Sequence, residues 1–97
     1  MERRKNDMII GKVVGTVVAT KKDERLVGNK LLIIRPLGTN GQFEGATMVV
    51  VDAVGAGIGE VVLICRGSSA RKAVGVLDSP VDAAIVGIVD TMEVEEQ

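Results

Sequence analysis

The chain has no histidine, tryptophan or tyrosine, and it has a single cysteine and a single phenylalanine. The absence of histidine removes the commonest general base and the commonest metal ligand of proteins. Its only cysteine, Cys65, cannot form a disulfide within the chain, which suits a reducing cytosol and leaves the usual zinc sites without ligands. The acidic residues also lack the spacing of calcium loops. We therefore predict no catalytic residue, no cofactor and no metal.

The shortage of aromatic side chains also argues against nucleic acid as a partner. Proteins that bind single strands stack bases on aromatic rings in a basic groove. Here Phe43 is the only aromatic residue, and the net charge is −1. We predict no nucleic-acid partner. We also predict no membrane partner, because no apolar run is long enough to span a bilayer.

The charges are unevenly distributed along the chain. Residues 1–50 carry nine basic and five acidic groups, whereas residues 51–97 carry three basic and eight acidic groups. Two differently solvated faces explain such asymmetry, and so does a head-to-tail assembly in which opposite edges of neighbouring subunits attract each other. A single domain of 97 residues with a valine-rich core is small, so association with partners is the simplest way for it to gain stability.

What the chain does contain is β-branched residues, in segments separated by turn-forming residues. This pattern is typical of a small closed or nearly closed β-barrel. Gly11 and Gly15 interrupt the first segment and predict a bend or a bulge there. The predicted strands are Met8–Thr20, Lys30–Arg35, Ala46–Val54, Gly59–Arg66 and Ile85–Thr91.

Helix is expected only in short pieces. Pro80 suits the first position of a helix with Ser79 as its N-cap, which predicts about one turn over Val81–Ala84. The segment Gly67–Lys72 reads as a turn that can include one helical turn capped by a serine.

The most informative segment places Gly55, Gly57 and Gly59 between two valine-rich runs. A nucleotide-binding glycine loop precedes a helix, whose N-terminus holds the phosphate. Here Val61–Ile64 follows, and such a run favours a strand. The loop therefore joins two strands, and we predict that it presents bare backbone to a neighbouring subunit.

Other candidate sites have simpler interpretations. Asp52, Asp78, Asp82 and Asp90 could form a carboxylate pair, but most lie at strand ends or beside turns, where aspartate accepts backbone hydrogen bonds. Cys65 ends a strand without a histidine to activate it, so we expect a small core residue. The segment Gly67–Arg71 could bind an anion, but a turn with one surface arginine is favoured, because no second basic cluster converges on it.

Several segments resemble, in order and at matching separations, the pentameric vertex proteins of bacterial microcompartment shells. That family includes the carboxysome and ethanolamine-utilisation vertex proteins. The resemblance covers almost all of Met8 to Asp90. Its segments are Gly11–Lys21, Leu26–Leu32, Val51–Val62, Gly67–Arg71, Pro80–Ala84 and Gly87–Asp90.

The resemblance implies an all-β fold: a five-stranded barrel similar to the oligonucleotide/oligosaccharide-binding fold, with one short helix, assembled as a cyclic homopentamer. It implies a structural, non-enzymatic role in capping the vertices of a microcompartment shell in the bacterial cytoplasm, with hexameric shell proteins as partners. The alternative is a small barrel adaptor that binds a ligand or single-stranded nucleic acid.

A ring of five subunits would bring short loops close to its axis, where only small residues fit. The candidate residues for the five-fold axis or the interface are Gly55, Ala56, Gly57, Ile58 and Gly59. Ser68, Ser69 and Arg71 are further candidates for the subunit interface or the pore rim. The expected organisation is a polar extension over residues 1–7, one barrel domain over residues 8–92 and an acidic tail over residues 93–97.

Overall fold

The strands of the protein form a closed barrel. The computed structural model describes residues 8–20, 22, 24–26, 28–67, 70, 72–73, 75 and 83–95. Its strands are β1 (Met8–Val17), β2 (Lys30–Pro36), β3 (Met48–Asp52), β4 (Val61–Arg66) and β5 (Ala83–Ile88). They close in the order β1-β2-β3-β5-β4, with β3 and β5 parallel and every other neighbouring pair antiparallel. The predicted five-stranded barrel is confirmed, whereas the predicted extension over residues 1–7 lies outside the described residues.

The barrel core is built from one face of every strand. Successive residues of a strand point to opposite faces of the sheet, so Val50, Ile64 and Ile85 point inwards. The largest side chains that are less than 2% exposed are all aliphatic: Leu32, Ile34, Ile64, Ile85, Val13, Val50 and Val62. A core of this kind needs no aromatic side chain, because β-branched residues fill the narrow interior of a small barrel.

A second apolar cluster lies on the outer side of the barrel. Val51, Cys65 and Ala84 alternate with the inward-facing residues, and they pack with Ala70. Leu26, in the 3-10 helix Glu24–Leu26, is packed against the same cluster. Cys65 is 5% exposed, which confirms that it is a small core residue.

The largest correction concerns the start of β5. The predicted helix over Val81–Ala84 is wrong at Ala83 and Ala84, which are strand residues, while its first half and its cap, residues 79–82, lie outside the described residues. Ala83 pairs with Arg66 and Ala84 with Cys65, and Ala84 also pairs with Val51 of β3. Because closing the barrel requires β5 to bridge β3 and β4, these tertiary hydrogen bonds override the local helix signal.

The other element boundaries differ by a few residues. The predicted strand Met8–Thr20 ends at Val17, and the predicted strand Ala46–Val54 is shortened to Met48–Asp52. In the segment predicted as a turn with one helical turn, Gly67 is in a turn and Ala70 is helical. Within the described part of the chain, no helix has the length and apolar character needed to cross a bilayer.

β1 contains two glycines and pairs with two neighbouring strands, β4 and β2. Residues 8–12 pair with β4 and residues 11–17 pair with β2. The pairing with β2 shifts between Val13 and Gly15, which confirms the predicted irregularity. At Gly11 the neighbouring strand lies so close that a Cβ would overlap Ile34 Cγ2 and approach the carbonyl oxygen of Arg35 to 3.1 Å.

We expect Gly11→Ala to destabilise the barrel by about 1–3 kcal/mol, since an added methyl group in a packed core forces neighbouring atoms to move. Denaturant unfolding measures this loss. Gly87→Ala is the matched control, because a Cβ at this glycine of β5 would meet Leu63 Cβ at an ordinary 3.7 Å. Equal stability of the two variants would contradict the interpretation.

Candidate functional site

The glycine loop, residues 53–60, connects β3 to β4 and folds back onto the end of the barrel. Ala56, in its middle, is fully buried and belongs to the main core cluster. On either side of this anchor, Val54 is 42% exposed and Ile58 is 67% exposed. The loop thus closes the core with one small residue and presents two large apolar side chains to its surroundings.

A buried carboxylate fixes the first half of the glycine loop. Asp52 Oδ1 accepts hydrogen bonds from the backbone N–H groups of Val54 and Gly55, both at 3.0 Å. Asp52 Oδ2 accepts a third, from Ala56, at 2.8 Å. The side chain of Asp52 is 2% exposed, so these backbone donors take the place of water. The capping role predicted for Asp52 is confirmed.

Lys30 completes this arrangement from the first residue of β2. Its Nζ donates to the carbonyl oxygen of Ala56 at 2.8 Å and lies 3.8 Å from Asp52 Oδ2. The ammonium therefore balances the buried carboxylate and also satisfies the loop carbonyl. No local sequence pattern indicates this contact, because Lys30 and Ala56 are 26 positions apart.

The second half of the glycine loop is held by Glu60 and by β1. Glu60 Oε1 accepts a hydrogen bond from the N–H of Gly57 at 2.6 Å, and the N–H of Glu60 donates to the carbonyl oxygen of Gly57 at 3.1 Å. Gly59 donates to the carbonyl oxygen of Val13 at 2.8 Å, and Val13 donates to that of Glu60 at 2.9 Å. Both ends of the loop are therefore tied to the barrel.

The three glycines of the loop differ in backbone conformation, so glycine is needed at only some of these positions. Gly55 has a φ of 85° and Gly59 a φ of 93°, a conformation that residues with a side chain rarely adopt. Gly57 has no such φ, and a Cβ placed there would meet only Glu60 Oε1, at an ordinary 3.6 Å. The structure of one subunit thus favours glycine at positions 55 and 59 but leaves room for a Cβ at position 57.

The remaining candidates, Ser68, Ser69 and Arg71, lie outside the described residues. Next to them, Gly67 has a φ of 67°, and its carbonyl oxygen accepts a hydrogen bond from Ala70 at 3.0 Å. Within the described ranges, no group of three histidine, cysteine, aspartate or glutamate residues is placed to hold a metal ion. The best-defined feature of the described chain is thus the glycine loop, most of whose backbone N–H groups are hydrogen-bonded within the subunit and whose two large apolar side chains are exposed.

Residues 8–90 match the model of the family described as ethanolamine utilisation protein EutN/carboxysome. The chain belongs to this family. The match includes all five strands and the whole glycine loop. The resemblance read from the sequence is confirmed.

Relatives and solved structures of shell vertex proteins are similar to this chain over most of its length. The microcompartment shell vertex protein GrpN of Rhodospirillum rubrum is 55% identical over 89% of this chain and 97% of its own length. The carboxysome shell vertex protein CcmL of Synechocystis is 51% identical over 90% of this chain and 87% of its own. A solved structure of GrpN, titled a pentameric microcompartment shell protein, superposes with a TM-score of 0.82 at 52% identity, covering 90% of this chain and 99% of that one.

We expect Asp52→Ala to destabilise the protein by about 2–4 kcal/mol, because it leaves several backbone donors of the glycine loop without a charged acceptor. Thermal unfolding measures the loss. Asp52→Asn should lower the free energy of unfolding by less, since the amide oxygen of asparagine can still accept the hydrogen bonds from Val54 and Gly55. If the alanine variant were as stable as the unaltered chain, Asp52 would not hold the loop.

Proposed function

We propose that this chain is a structural protein that forms homopentamers and caps the vertices of a bacterial microcompartment shell. The observation that carries the proposal is its similarity, over residues 8–90, to a family whose relatives are named shell vertex proteins. A closed polyhedral shell tiled by hexagonal units needs five-fold units at its corners. We therefore infer hexameric shell proteins as partners and the shell, in the bacterial cytoplasm, as the location.

The physical properties of the described chain support a role in assembly. The rigid glycine loop exposes Val54 and Ile58 beside glycines that allow close backbone approach. Large apolar side chains held on a fixed backbone are typical of protein interfaces, because little conformational entropy is lost when they become buried. We infer that the protein is a building block and does not catalyse a reaction.

The alternative function is a barrel adaptor for a ligand or a single-stranded nucleic acid. Such an adaptor would rely on Phe43 for base stacking, but the surroundings of this ring do not support that role. Phe43 is 41% exposed, but the guanidinium carbon of Arg35 lies 4.2 Å from the centre of its ring. One face of the ring is thus already covered by a cation–π contact. Base stacking would have to compete with this contact.

Light scattering coupled to size-exclusion chromatography tests the pentamer directly. We expect the mass of five protomers. Coexpression with hexagonal shell proteins then tests the vertex role, since electron microscopy should show closed particles with this chain and open or elongated ones without it. A stable monomer, or shells that close equally well in its absence, would overturn the proposal.

Gly57 offers a test of the candidate interface that is separate from the stability of the subunit. We expect Gly57→Val to weaken the pentamer by about tenfold or more in its dissociation constant if a neighbouring backbone packs against the loop. Sedimentation velocity over a dilution series measures this constant.

Gly57→Ala is the milder companion variant, because a lone Cβ at position 57 meets only Glu60 Oε1 within the subunit. It should leave secondary structure unchanged and weaken the pentamer by less. Were Gly57→Val to remain pentameric with an unaltered dissociation constant, the loop would not lie at the axis or the interface.

A further inference from the structure

The second half of β1 has an open backbone edge. On one side, residues 11–17 pair with β2. On the other side, β4 pairs only with residues 8–12, and Val13 exchanges hydrogen bonds with the end of the glycine loop. Among the described residues, no backbone partner follows on that side after Val13. An unpaired edge of this kind accepts another strand readily.

Two apolar side chains along this edge are exposed. Val14 is 41% exposed and Val18 is 93% exposed, with Thr16 between them also exposed. We name the segment Val14–Val18 the open edge. It adjoins the glycine loop, because Gly59 donates to the carbonyl oxygen of Val13. The open edge is therefore continuous with the candidate assembly site.

The segment after β5 has a strand-like sequence but no strand partner in the described chain. Residues 91–95 overlap the acidic tail predicted over residues 93–97, and from here on they are named the tail. They are exposed and irregular, and they form no backbone hydrogen bond within the described chain. Yet their sequence alternates as in a strand, with Met92 and Val94 apolar and Thr91, Glu93 and Glu95 polar. Met92 is 41% exposed and Val94 is 49% exposed. The tail is thus a strand-like segment without a sheet.

The tail of one subunit is poorly placed to reach its own open edge. Both β1 and β5 pair antiparallel with β4, so they flank it on opposite sides. Val89 still donates to the carbonyl oxygen of Val61, where β4 begins. Two strand spacings, roughly 9–10 Å, therefore separate β1 from β5 at this point, whereas a direct backbone pair needs about half of that.

Charge and length favour a neighbouring copy of the chain as the source of the strand. Lys12 and Lys22 flank the open edge, with no acidic residue between them in the sequence, whereas the tail carries Glu93 and Glu95. Five residues in extended conformation span roughly 17 Å in both the open edge and the tail. A ring also requires two different, complementary surfaces on each subunit, which these segments provide.

We propose that the tail of each subunit pairs as a strand with the open edge of β1 in the neighbouring subunit of the ring. With Glu93 opposite Thr16, the apolar Met92 and Val94 lie beside Gly15 and Val17 on a half-buried face, which the paired residues of β2 continue. The inference rests on the proposed homopentamer and adds an element to it. The tail lies beyond residue 90, where the match to the family ends.

The first experiment changes the apolar face of the tail in the full chain. We expect Val94→Asp to raise the pentamer dissociation constant by about tenfold, because it places a charge in the packed face. Thr91→Asp is the matched control: it adds the same charge on the polar face and should change the constant by less than about twofold. Equal effects of the two variants, or none, would count against the pairing.

The second experiment traps the contact covalently. Thr16→Cys and Glu93→Cys lie at the middle of the open edge and of the tail, so they face each other whichever way the two strands run. In the double variant, mild oxidation should give a ladder of linked chains up to five on a non-reducing gel. Each single variant should give no such ladder, and Cys65, being buried, stays in all of them.

The outcomes separate this inference from the proposed function. A pentameric unaltered chain whose double-cysteine variant gives only a bond within one chain, or none, overturns the strand exchange and leaves the vertex role standing. An unaltered chain that is monomeric overturns both.

Discussion

Closure of the barrel depends on β1, a single strand that must pair with β4 through its first half and with β2 through its second. Along this strand Gly11 lies in close contact with Ile34, and the register with β2 shifts between Val13 and Gly15. Because β4 begins opposite Lys12, the later part of β1 extends past its neighbour. The same strand that closes the core therefore leaves part of its own backbone edge unpaired within the described chain.

The glycine loop fits into the space that this geometry creates. Its last residues exchange hydrogen bonds with Val13, and Ala56 closes the core from the same end. The carboxylates of Asp52 and Glu60 accept the loop's N–H groups, so a glycine-rich segment that would be mobile by itself has one fixed shape. In the assembly that we propose, such a loop, which exposes Val54 and Ile58, would lose little conformational entropy when a second subunit covers it.

Local patterns in the sequence predicted the strands well, because β-branched runs between turn residues are favourable for strands in almost any small barrel. The interruption of β1 by Gly11 and Gly15 was readable for the same reason. The helix predicted before β5 was wrong at Ala83 and Ala84, since Ser79 and Pro80 are local signals and pairing with β3 and β4 is not. The partnership of Lys30 with Ala56 joins residues far apart in the chain, so no local pattern reveals it.

The residues alone were enough to predict the fold class, the order of the strands along the chain, the burial of Cys65 and the family to which the chain belongs. These properties follow from side-chain type and spacing, which persist in any conformation. Which loop glycines the subunit requires, and where backbone groups remain unpaired in the described chain, could be seen only in the folded barrel. Those properties depend on distances between strands, and such distances exist only once the barrel has closed.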